Sequence, residues 1–67
     1  MYKVGQELRI TEAWRQYRID EHQDPSWLNG EIVTVIDVDD KGNALIQDDH
    51  AWMVWAGRPE LLEPAGE

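Results

Sequence analysis

From Ile32 to Val38 the chain reads Ile-Val-Thr-Val-Ile-Asp-Val, and every position except Asp37 is β-branched. Such side chains are stiff at χ1, crowd the turns of a helix and pack well on a pleated surface, so this run specifies a strand. Asp39, Asp40, Lys41, Gly42 and Asn43 follow at once. They are hairpin residues, with Gly42 or Asn43 taking the position that needs a positive φ. Two more short strands then fit, Ala44 to Asp48 and Ala51 to Ala56, joined by a tight acidic turn at Asp48, Asp49 and His50. The first of the three, from about Glu31 to Val38, is apolar on both faces. That pattern requires burial on both sides or a bulge that shifts the inward set midway.

Upstream, Val4, Gln6, Leu8 and Ile10 alternate with Gly5, Glu7 and Arg9, the period of a half-buried strand. A long polar connection follows, ending in the turn formers Asp24, Pro25 and Ser26. Two readings of residues 11 to 23 are open: Thr11 caps a short helix carrying Trp14 and Tyr17, or the segment folds back as a loop. The absence of a stop signal before Asp24 favours the loop. Near the end, Gly57 to Pro59 predicts a turn of 3₁₀ type before Leu61 and Leu62 return to the first strand. The expectation is an all-β chain: a small five-stranded barrel with a long first loop and a short 3₁₀ turn, one domain over 1–64 with a frayed tail at 65–67. Leu8, Ile10, Val35, Ile46, Val54 and one of Trp52 or Trp55 should face inward.

The succession V-G-x-x-L-x-I, long loop, G-x-I-x-T-V-I-x-V, D-D-x-G, short strand, W-x-V and L-L-E-P resembles small SH3-like barrels, and the likeness spans nearly the whole chain. It is most similar to the small SH3-like protein of photosystem I and to the short SH3-like proteins of bacteriophages. That superfold hosts peptide binding, docking in redox complexes, nucleic-acid binding and scaffolding, so the function has to be sought in a site. The ALYDY-like stretch of SH3 domains that bind proline-rich ligands is absent, and the loops are acidic where KOW-type barrels carry basic ones.

Fourteen acidic against six basic side chains give a net charge of −8, which repels phosphate backbones and argues against direct nucleic-acid binding. The imbalance lies in residues 20 to 67, where twelve acids face only Lys41 and Arg58. With no cysteine there is no disulfide framework, and stability must come from packing. Four tryptophans can supply a core, each burying on the order of 150–250 Å². No apolar run reaches signal-peptide or membrane-span length, so a cytoplasmic protein without a membrane association is expected.

Catalysis has little to work with: the one serine is Ser26 in a turn, and no glycine-rich phosphate loop is present. No enzyme activity and no cofactor are expected. The spacing of Asp37, Asp39, Lys41, Gly42, Asn43 and Asp48 matches a calcium loop only superficially, because a lysine stands at a ligand position and the flanks read as strands. His22 and His50, each beside carboxylates, are a thin basis for a metal centre, and none is expected.

What remains is surface recognition. Trp14, Tyr17, Trp27 and the outward one of Trp52 and Trp55 are the candidate partner-binding residues, rimmed by Asp48 and Asp49 and suited to a protein partner with a basic or amphipathic surface. The expected function is a non-enzymatic protein-binding module. By its resemblance it would be a phage-encoded modulator that docks on and inhibits a host protein. The alternative is an acidic DNA mimic, which needs Asp20, Glu21, Asp24, Asp37, Asp39, Asp40, Asp48 and Asp49 on one face. A monomer is expected, or a weak homo-oligomer paired through an exposed strand.

Overall fold

A computed structural model describes residues 2–66. The elements are β1 (Glu7–Arg9), α1 (Glu12–Asp20), β2 (Ile32–Val38), β3 (Ala44–Gln47), β4 (Met53–Trp55), a 3₁₀ turn (Pro59–Leu61) and β5 (Glu63–Pro64). The strands form one antiparallel sheet in the order β4-β3-β2-β1-β5. The five strands follow in the expected order, with β4 starting later, at Met53, and the last strand falling at Glu63–Pro64 just after Leu61 and Leu62, but the sheet is not closed into the expected barrel: β4 and β5 are its two edges.

β2 is the spine of the sheet, pairing with β1 along its first half and with β3 along its second. The register slips between Val35 and Asp37, so a bulge at Ile36 resolves the two-faced apolar pattern. Val33 and Val35 point into the core before it, and Val38 packs against the core after it. Gly42, at φ 84°, takes the left-handed position of the β2–β3 hairpin. The Asp39 carboxylate accepts from the backbone N–H groups of Lys41 and Asn43 and locks that turn.

The segment after β1 is a helix instead of the favoured loop. Its start is signalled in the sequence: the Thr11 hydroxyl accepts from the Trp14 N–H at 3.1 Å, and Glu12 occupies the first turn. Its stop is hidden. The His22 N–H donates to Ile19 C=O and the Gln23 N–H to Arg18 C=O, the paired bonds of a Schellman ending, with His22 at φ 60° where glycine is usual. Tertiary packing then carries a helix too short to persist alone. Trp14 and Arg18, one turn apart, are both buried.

The core consists of Leu8, Ile10, Val33, Val35, Ala44, Ile46, Ala56 and Leu62 together with Trp14 and Trp27. Leu8, Ile10, Val35 and Ile46 face inward as expected, and Val54 is half-buried against them. Neither strand tryptophan joins this core. The chain turns at Ala51, φ 69°, and β4 begins at Met53. Trp52 thus precedes the strand, and Trp55 shares the outward parity of Met53, leaving them 57 % and 42 % exposed. Trp14 and Trp27 fill the interior in their place, with ring centroids 6.1 Å apart. At the C-terminus the Ala65 N–H donates to Glu7 C=O at 3.0 Å, while Glu67, the end of the expected frayed tail, lies outside the described residues.

Candidate functional site: the outer face of the sheet

The sequence gathers Trp14, Tyr17, Trp27 and a strand tryptophan into one groove, and the structure separates them. Trp14 is fully buried, donates its indole N–H to Ala56 C=O at 2.9 Å and carries the Arg18 guanidinium 5.3 Å from its ring centroid. Arg18 in turn donates from Nε to Asp24 C=O at 3.0 Å. Burial lowers the pKa of the guanidinium, opposed by the charge of Asp24. Trp27 is 5 % exposed. Both indoles are core because their N–H groups find acceptors inside the fold, which removes the cost of burying them. Tyr17 is half-buried against Gly57, where a Cβ would meet its hydroxyl. Trp52 and Trp55 are the tryptophans left for a partner.

Asp48 is a structural anchor as well as a rim charge. Its Oδ2 accepts from the Trp27 indole N–H at 2.7 Å, and its Oδ1 accepts from the backbone N–H groups of His50 and Trp52. The Trp27 bond first, then these two backbone bonds and the nearby His50, hold its carboxyl below the usual aspartate range. The stability this gives is complete above the ordinary aspartate value of 3.8 and is lost as pH falls through the lower folded value. The stability gap between the wild type and Asp48→Asn should therefore be widest at neutral pH and narrow below the ordinary value, as read from urea unfolding at neutral and strongly acidic pH. A gap independent of pH would mean that the carboxylate charge is not what the turn holds. Asp49 is exposed.

Other carboxylates also accept from backbone N–H groups. Asp24 accepts from the Ser26 N–H, Asp37 from the Val38 N–H, and Asp39 from two backbone donors. Asp39 and Asp40 lie at one end of β3 and Asp48 and Asp49 at the other. The acids that a DNA mimic needs on one face are thus spread over several turns, many of them already engaged by backbone N–H groups.

A different surface is assembled by parity. Met53 and Trp55 on β4 point opposite to Val54, and their cross-strand partners are Gln47 and Leu45 on β3. Gln47 faces Thr34, which faces Glu7, so Met53, Gln47, Thr34 and Glu7 make a row across four strands. Beside it run Trp55, Leu45 and Asp37. Ile32 and Ile36 extend the apolar ground into an open groove of about 540 Å³ that Asp48 and Asp49 border. Met53 is 50 % and Ile32 40 % exposed, so apolar side chains face solvent on this side of the sheet. Met53, Leu45, Gln47, Thr34 and Ile32 escape a search for aromatic residues. The signal for them is alternation: each has the parity opposite to the inward Val33, Ile46 or Val54.

Among the described residues no three of His, Asp and Glu converge as a metal site, and no helix is long and apolar enough to cross a membrane. In comparisons with protein-family models, curated proteins and solved structures, nothing matches this chain.

Proposed function

We propose that this chain is a non-enzymatic protein-docking module that recognises its partner with the outer face of the β2-β3-β4 sheet. The observation that carries the reading is the pair Met53 and Trp55. Two large side chains of the kind that dominate interface energetics project from one strand into solvent, beside further apolar residues and a rim of carboxylates. Carboxylates around an apolar centre suit a basic or amphipathic partner, the rim tuning encounter and the centre residence.

The order of elements supports an SH3-like reading of the scaffold: a first strand, a long connection, a three-strand meander, a 3₁₀ turn and a last strand that returns to the first. In keeping with that likeness, a small phage-type modulator that covers a surface of a larger host protein is the role we assign. The test is affinity capture from host-cell lysate with the wild type and with a Met53→Ser, Trp55→Ser double variant whose fold is checked by circular dichroism. Proteins retained by the wild type and lost by the folded variant are expected. Identical capture by the two would overturn the reading.

A further inference from the structure

The two edges of the sheet are built differently. β5 has only two residues, Glu63 and Pro64, both exposed, so this edge carries a charge and lacks one N–H, the usual devices that stop a strand from pairing further. β4 has no such device. Trp52, Met53, Val54 and Trp55 include no charge and no proline, and the β3–β4 register runs without a bulge. Along β4 the Ala56 N–H donates to Ala44 C=O at 2.8 Å and the Asp48 N–H to Trp52 C=O at 3.1 Å. In the alternation of an antiparallel ladder, Ile46 and Val54 are then the next hydrogen-bonded pair. Met53 and Trp55 fall between these pairs, and both direct their backbone N–H and C=O away from β3.

We infer that β4 is a recognition edge, and that its occupant is an extended segment of a partner protein, alternating apolar with basic residues, that pairs with Met53 and Trp55 as a sixth strand. The inference rests on the docking reading above and names the partner's form. Backbone pairing gives affinity for an extended chain, and side-chain alternation gives specificity. Apolar side chains of the segment would lie beside Met53 and Trp55 and continue the outer face. The residues between them point to the opposite face, where basic side chains would approach Asp48, bonded to the core Trp27 at the head of β4, in the field of a chain of net charge −8. On the outer face the β1 cation, Arg9, is engaged by its cross-strand partner Glu63 at the other edge of the sheet. A second copy of the chain is a poorer occupant, because each copy brings a net charge of −8.

The probe is an octapeptide of alternating valine and lysine, blocked at both ends. It is compared with the same peptide N-methylated at every second residue, so that the N–H groups facing β4 are gone, and with a valine–glutamate version. Binding is followed by amide NMR and hydrogen exchange. Saturable binding of the valine–lysine peptide at low salt is expected, with exchange at Met53 and Trp55 slowed by about tenfold or more, and affinity reduced by about tenfold or more in both control peptides. Absence of binding, or unchanged exchange at these amides, overturns the inference. If the N-methylated peptide binds equally well while Trp55→Ala abolishes binding, edge pairing fails and the docking face stands. If Met53→Ala and Trp55→Ala leave binding of both peptides unchanged, the docking face fails too. Protection of Met53 and Trp55 that grows with protein concentration alone would make a second copy the occupant and overturn the basic segment.

Discussion

Replacing Trp14 by Ala is expected to remove about 3–5 kcal/mol of folding stability, the range for truncating a large buried aromatic. A domain holds about 0.05–0.15 kcal/mol per residue, which for 67 residues is roughly 3–10 kcal/mol in total. The variant should be largely unfolded, or should melt far below the wild type. The effect is large because three interactions end at one side chain: the stack on Trp27, the Arg18 cation over the ring and the indole bond to Ala56. Without the ring, Arg18 is a buried charge that has lost an aromatic face. Trp14→Phe should cost less, about 1–3 kcal/mol, because most of the area remains and the principal loss is the donor to the buried Ala56 carbonyl. Urea unfolding of the three proteins decides it, with Trp55→Ala, at a half-exposed edge-strand site, as the control expected to lose clearly less than Trp14→Ala. A Trp14→Ala protein as stable as that control would place Trp14 outside the core.

The strands are legible in the sequence because their signals are local. The β-branched run fixes β2, Asp39 to Asn43 fixes the hairpin, and of the two readings that the apolar excess of β2 leaves open, burial on both sides or a bulge, the structure has the bulge, at Ile36. The helix is only half legible. Thr11 announces its start, but its end depends on His22 adopting a left-handed conformation, which a search for glycine passes over. The tryptophans elude the sequence for a non-local reason. A core in an open five-stranded sheet needs a cover on its inner side, and the residues able to provide one are those of the connection, Trp14 and Trp27. Strand parity alone gives that place to Trp52 or Trp55. It does so only if β4 begins before Trp52, and the turn at Ala51 delays the strand until Met53. Met53 and Trp55 go outward together because Val54 between them goes inward, while the turn at Ala51 keeps Trp52 from sharing the place of Val54 against the core.

Trp27→Ala should also cost about 3 kcal/mol or more, and its consequences reach the recognition edge. Trp27 stands between the core and the β3–β4 turn: its ring stacks on Trp14, and its indole N–H holds the Asp48 carboxylate that also gathers the N–H groups of His50 and Trp52. Removing the indole leaves Asp48 with the turn bonds alone and leaves a cavity beneath the turn. The residues that open first should be those at the head of β4, so under identical native conditions the Trp52 amide should exchange faster relative to the centre of β2 than it does in the wild type. Because Trp27 and Asp48 share one hydrogen bond, the Trp27→Ala, Asp48→Ala double variant should lose less stability than the sum of the single losses. Strict additivity would mean that the indole–carboxylate bond does not couple the core to the turn. If it does couple them, Trp27 is the residue that keeps Met53 and Trp55 in register at an open edge. A folded Trp27 variant should then lose affinity for an edge-pairing segment even though the ring itself lies inside the protein.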